Sequence, residues 1–171
     1  MAFGRLLLGL GLIGLGVSTM RPSRPPDTRE GRFVRRAGRI NATIVEAARL
    51  AAERTTREDL RGFANALVEG HTDVGNRLEA VLASTGLTRP GRPLRDVERA
   101  RLAALREATD FEAAFIRLVI AEHLKLLTLL ADHAGEGREP ALLAFAEEAM
   151  PKLADHYEHA RILQRDLRSR A

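Results

Sequence analysis

The feature that most constrains the fold is a long apolar stripe from Asp110 to His133, which reads DFEAAFIRLVIAEHLKLLTLLADH. Its members recur every three or four residues and include two histidines, with His123 in the middle: Ile116, Val119, His123, Leu126, Leu130 and His133. This spacing places the stripe on one face of an α-helix. A helix with such a face is stable in water only when other helices cover it. The rest of the chain must therefore supply matching helices.

Three further segments carry stripes with the same spacing. Helix 1 is predicted over about Arg32–Glu53, helix 2 from Thr55 to about Ser84, and helix 4 from Pro140 to about Leu167. A shorter helix is predicted at about Leu94–Arg106, between helices 2 and 3. No segment alternates apolar and polar residues with the period of two that is typical of a β-strand. The sequence predicts an all-α fold, an antiparallel four-helix bundle with an extra short helix between helices 2 and 3.

Local signals mark the ends of these helices. Thr55-x-x-Glu58 and Thr109-x-x-Glu112 match the capping box that begins a helix. The first box starts helix 2, and the second favours a break before helix 3. Pro140 suits the first turn of helix 4, where a missing N–H does no harm. The turns between helices 1 and 2 and between helices 3 and 4 are short, as expected of antiparallel neighbours.

The chain divides into three parts. Residues 1–20 hold one arginine and a glycine-rich apolar run, which is typical of a signal peptide or an N-terminal membrane anchor. Residues 21–31 form a Pro-rich linker, and residues 32–169 form the bundle domain. The apolar run is short for a membrane span, although residues 3–20 would suffice for attachment. We therefore expect a periplasmic or cell-envelope protein, exported or membrane-anchored.

Composition excludes several classes of function. The chain has no cysteine, so it has neither disulfides nor thiolate metal sites. Its 27 basic residues face 23 acidic ones, a formal net charge of only +4. The acidic residues are mixed among the basic ones, and no basic block is interleaved with aromatic residues. We therefore predict no nucleic-acid binding.

The candidate functional residues are histidines on apolar stripes. His71, His123 and His156 lie centrally on the stripes of three different helices, and Glu46 lies at the edge of the helix 1 stripe. Bundle cores bind metals through inward side chains of facing helices. Imidazole with carboxylate suits Zn, Fe, Mn or Cu. These four residues are therefore the candidate ligands of a transition metal.

Two observations weigh against a metal site. The Glu-x-x-His spacing of di-iron bundles is absent. Counting from the turns also places His156 about 7 Å off the level of His123, and Glu46 about 8–10 Å off the level of His71. The alternative is that each buried imidazole hydrogen-bonds a neighbour: a carbonyl freed by Pro151, Asn41, or another histidine.

Several short motifs resemble a known bacterial family. They are Phe33-Val34, Asn41 to Glu46, Gly70-His71-Thr72, Phe111 to Phe115, Glu122-His123, and Met150-Pro151 through His156. Together they resemble the domain of unknown function 4142 family over about Arg32–Leu167. The chain departs from the family pattern at Gly70, where an acidic residue is common, and at Phe115, where a tyrosine is usual. Glu122 keeps the acidic residue before the second histidine.

The resemblance implies a ferritin-like bundle outside the cytoplasm and no established activity. Two functions follow from the residues and the resemblance together. The first is a non-enzymatic structural or interaction role in the envelope. The second is a metal-binding bundle of the storage, sensing or oxidase type.

Overall fold

Five α-helices and no strand make up the part of the chain that the computed structural model describes, residues 28–87 and 94–170. They are α1 (Arg29–Arg54), α2 (Glu58–Thr85), α3 (Asp96–Arg106), α4 (Phe111–Glu136) and α5 (Pro140–Ser169). The prediction of an all-α fold with a short helix between two longer pairs is confirmed. The predicted export or anchor segment, residues 1–20, lies outside the described residues, as does most of the predicted linker.

The four long helices contact one another in a closed order. α1 packs on α2 and α4, and α5 packs on α4 and α2. The short helix α3 lies against α1 and α4. Small residues of α1 and leucines of the other helices fill the shared core, including Ala37, Ala47, Leu67, Leu126 and Leu153, each at most 2% exposed. Within residues 28–87 and 94–170 no helix is long and apolar enough to cross a membrane.

Helix ends agree with the sequence signals at some points and differ at others. Pro140 begins α5 as predicted, and Gly86 ends α2 with a left-handed φ of 67°, which a residue without Cβ adopts freely. α1 begins at Arg29 rather than Arg32, because the Thr28 side chain accepts a hydrogen bond from the Gly31 amide and caps the helix.

Neither predicted capping box forms. α2 begins after Arg57 rather than at Thr55, and the Thr55 hydroxyl donates instead to the Glu112 carboxylate across 2.6 Å. Asp110, not Thr109, caps α4 by accepting from the Ala113 amide at 3.1 Å. The break before α4 is nevertheless present, because α3 ends at Arg106. A contact between the two turns thus replaces the first predicted box, and a local cap by Asp110 replaces the second.

Candidate metal centre

His71 lies on the buried face of α2, and α1 fixes the orientation of its ring. The side chain is fully buried. The Asn41 amide nitrogen donates to the His71 carbonyl oxygen at 2.8 Å, so the amide oxygen of Asn41 must face the other way. That oxygen lies 2.8 Å from His71 Nδ1, which therefore donates its proton to it. The remaining ring nitrogen, Nε2, carries the lone pair.

His123 has the same arrangement on α4. It too is fully buried. Its Nδ1 donates to the carbonyl oxygen of Val119, one turn earlier, at 2.9 Å. This bond assigns the proton to Nδ1 and the lone pair to Nε2.

The two lone-pair nitrogens face each other. His71 Nε2 lies 3.1 Å from His123 Nε2, which is hydrogen-bond distance. With both Nδ1 atoms protonated, no proton is left to lie between them while the rings are neutral. Two nitrogens bound to one zinc at 2.0–2.1 Å in a tetrahedral site lie about 3.3 Å apart. The spacing in this protein is close to that value, so the pair suits a shared cation.

His156 of α5 completes a cluster of three imidazoles. Its ring centroid lies 5.5 Å from that of His71 and 5.9 Å from that of His123. One potential ligand nitrogen from each histidine lies within 4.8 Å of the other two. A metal site needs about 3.3 Å, so the third nitrogen has to approach by up to about 1.5 Å. His156 Nδ1 is buried and has no hydrogen-bond partner among the described residues.

Gly70 makes the space that the His156 ring occupies. A Cβ atom at position 70 would lie 2.6 Å from His156 Cε1 and 3.2 Å from His156 Nε2. Any larger residue at position 70 would therefore push the His156 ring away. The Lys152 side chain reaches the same place, with Cε 3.1 Å from the position of that Cβ.

The histidines of the cluster are held neutral. Burial lowers the pKa of His71 well below its ordinary value, and the nearby His123, His156 and Lys152 lower it further. Burial lowers the pKa of His123 to about 4, against the hydrogen bond to Val119, which raises it. The pKa of His156 is lowered by burial and then by Lys152. Neutral imidazole is the form that binds metals.

Of the four candidate ligands, the structure brings the three histidines together and leaves Glu46 apart. Among the described residues the cluster that meets metal-ligand spacing contains only His71, His123 and His156. The Glu46 side chain is 42% exposed and pairs with Arg49 on its own helix at 3.0 Å. Glu46 does line a cavity of about 350 Å³ between α1 and α2, and Asn41 and His71 line it too.

The expectation that His123 and His156 would stand at different levels was wrong. The count compared backbone heights, whereas helical side chains tilt toward the N-terminus of their own helix. α4 and α5 are joined by a turn of three residues, 137–139, and run in opposite directions. His123 therefore tilts away from that turn and His156 tilts toward it. Both tilts bring the rings toward each other, and the ring centroids lie 5.9 Å apart.

The hydrogen-bond partners of the histidines were predicted only in part. Asn41 and a second histidine do contact His71, as one alternative proposed. The carbonyl that pairs with His123 belongs to Val119 and not to a residue freed by Pro151. Gly70 and Lys152 were not predicted as parts of the site. The glycine before a striped histidine was the available signal, because a glycine within a helix often marks a close approach.

Fold and site together define an all-α protein with a three-histidine cluster shared by three helices, in which His71 and His123 are buried and His156 is partly buried. The chain belongs to the domain of unknown function 4142 family, since the family model "Domain of unknown function (DUF4142)" matches residues 17–163. The resemblance predicted from the sequence is thereby confirmed. A solved structure titled "CopM in the Cu(II)-bound form" has a similar fold. It is 12% identical with a TM-score of 0.66, and the match covers 79% of this chain and 95% of that one. No curated protein sequence matches this one.

Proposed function

We propose that this protein binds a transition-metal ion in the cell envelope, with His71, His123 and His156 as ligands and the four long helices arranged as an antiparallel, ferritin-like bundle. One observation carries the proposal: the unprotonated Nε2 atoms of His71 and His123 face each other at 3.1 Å. Two lone pairs at this distance repel each other in the neutral protein. A cation between them removes the repulsion.

The ligand set favours copper or zinc. Neutral imidazole nitrogens suit both ions, whereas manganese prefers carboxylate and water oxygens. Iron was among the metals that the sequence allowed. However, Glu46, the one carboxylate among the predicted ligands, pairs with Arg49 and not with the cluster. The solved structure of similar fold contains Cu(II). Copper is therefore the ion to titrate first.

The role we propose is binding itself, as in storage or sensing, rather than catalysis. The two best-placed ligands are fully buried, which suits retention of an ion more than turnover of a substrate. The envelope location rests on the apolar run in residues 1–20, with export or attachment through residues 3–20 as the two routes.

The test is metal analysis of protein purified without a histidine tag. We expect about one equivalent of Cu(II) or Zn(II) to bind. His71→Ala and His123→Ala should each abolish stoichiometric binding. At a free metal concentration of 100 times Kd, binding should stabilise the wild-type protein by about 2.7 kcal/mol.

His159→Ala is the matched control. His159 lies one turn from His156 on α5 but packs against Phe63, with ring centroids 4.6 Å apart. This variant should bind metal as the wild type does. Less than a tenth of an equivalent of either metal in the wild type, with unchanged melting after metal is added, would remove the basis of the proposal.

A structural or interaction role without metal is the second candidate. It is favoured by the hydrogen bonds that the Nδ1 atoms of His71 and His123 donate, because these give one of the two nitrogens of each ring a partner within the core. If the wild type takes up no metal while His71→Ala and His123→Ala lose stability, this second function is the correct one.

A further inference from the structure

We infer that the ion bound by the three histidines takes one small monovalent anion as its fourth ligand, and that Lys152 attracts this anion to the site. The inference rests on the proposed function and adds a ligand class to it. It follows from the charges around the cluster, from the open coordination position, and from the way Gly70 admits Lys152 beside His156.

The cluster supplies no negative charge. All three ligands are neutral imidazoles, and among the described residues no carboxylate belongs to the group. Glu122 precedes His123, but its carboxylate accepts from Arg101 at 3.0 Å and from Lys125 at 2.7 Å. A divalent cation in this buried place therefore keeps its whole charge, which is strongly unfavourable without a compensating anion.

Asp155 does not supply an anionic ligand from within the chain. It precedes His156 on α5, and successive side chains of a helix point about 100° apart. Its side chain is exposed to water, unlike the partly buried ring of His156. Asp155 is therefore not a ligand of the cluster, and an anionic ligand would have to come from outside the chain.

The metal would have room for such a ligand. Three protein ligands leave the fourth tetrahedral position open, as in zinc sites that keep a water or a substrate there. His156 is only partly buried, so the cluster approaches solvent at the seam between α2 and α5. An anion can enter there without passing through the core.

Lys152 stands at this seam. Its Cε lies 3.1 Å from the point where a Cβ on Gly70 would be, and His156 Cε1 lies 2.6 Å from that point. The Lys152 side chain is exposed, and its stem lies beside the His156 ring. A cation so near to metal ligands is unfavourable for the metal alone. It becomes favourable once an anion lies between the two charges.

Azide is the probe for this inference. The full-length protein, loaded with one equivalent of Cu(II), is titrated with sodium azide, and the azide-to-copper charge-transfer absorption is followed. The wild type should show one saturable site. Lys152→Met should weaken azide binding by roughly fivefold, the effect of one partly exposed ion pair. Lys152→Arg should retain most of the affinity.

Arg138→Met is the charge-matched control, because Arg138 is exposed in the α4–α5 turn. It should leave azide affinity unchanged. Copper content is measured in every sample, so that loss of metal is told apart from loss of the anion. A protein that binds copper but shows no azide absorption overturns the anion site and leaves the proposed function standing.

If Lys152→Met and Arg138→Met weaken azide binding equally, or if Lys152→Met leaves azide affinity unchanged, Lys152 does not attract the anion. A chain that binds no copper at all fails at the proposed function instead.

Discussion

Gly70→Ala separates the requirement for space at the cluster from ordinary helix stability. Without any neighbour, alanine at a helical glycine stabilises the folded state by about 1 kcal/mol. At position 70 the new Cβ would lie 2.6 Å from His156 Cε1, closer than such atoms approach. Overpacking of this kind costs about 1–3 kcal/mol. The His156 ring is at the far end of a flexible side chain and can rotate outward, so we expect an overpacking cost at the lower end of this range. This cost cancels the gain from alanine, and the net change in the free energy of unfolding should be near zero.

The same rotation should damage the proposed metal site. It removes one of three ligands, and even the loss of a supporting residue lowers metal affinity by about 10–100-fold. We expect Cu(II) affinity to fall at least tenfold in Gly70→Ala. Urea unfolding of the metal-free protein and a competitive copper titration measure the two effects separately.

Gly62→Ala is the control within the same helix. Nothing lies within 4 Å of a Cβ at position 62, and the residue is exposed. This variant should gain about 1 kcal/mol and keep its copper affinity. If Gly70→Ala gains as much stability as Gly62→Ala and binds copper like the wild type, Gly70 does not make room for His156.

Three further predictions concern the surroundings of the cluster. Asn41→Leu leaves the Nδ1 proton of His71 without a partner in the core, so urea unfolding should show a loss of about 2 kcal/mol in the free energy of unfolding, and copper titration should show an affinity lower by about tenfold or more; the exposed Asn76→Ala should show neither. Glu122→Ala leaves Arg101 without its partner on α4. Amide hydrogen exchange in α3 should then be faster than in the wild type, whereas exchange in α2 should be unchanged. An equal acceleration in both helices contradicts the role of this ion pair in holding α3. The pKa of His123 is about 4 when folded and 6.5 ordinarily, so only the unfolded chain binds the proton between these values. The free energy of unfolding of the metal-free protein should therefore fall from pH 6.5 toward pH 4, by on the order of 3 kcal/mol from this group, and a pH series on His123→Leu should lack this contribution.

The sequence was informative wherever one helix face decides the outcome. The stripe around His123 predicted α4 and its buried face, and the same spacing predicted that His71 would be buried. Helix starts were less predictable, because a tertiary contact competes with a local one. Thr55 has the side chain for a cap, yet its hydroxyl reaches Glu112, 57 positions away, and contacts at that separation leave no local pattern.

The three histidines of the cluster were predictable as residues, whereas the exclusion of Glu46 and the geometry of the cluster were not. Counting residues from a turn gives the height of a backbone atom, and an imidazole extends beyond that atom in a direction set by its helix. Gly70 was noted as a departure from the family pattern. Its effect depends on Lys152 and His156, which lie on another helix.

The three histidines also bear on how the chain stays folded. The chain has no cysteine and so no covalent cross-link, yet His71 and His123 are 52 positions apart and His156 belongs to a third helix. An ion bound to all three would tie distant parts of the chain together as a disulfide does, and closing a loop of this length is worth about 4 kcal/mol in the chain-entropy model. Unlike a disulfide, this tie forms and dissolves with the supply of metal, so the persistence of the folded protein would itself report how much metal the surroundings contain.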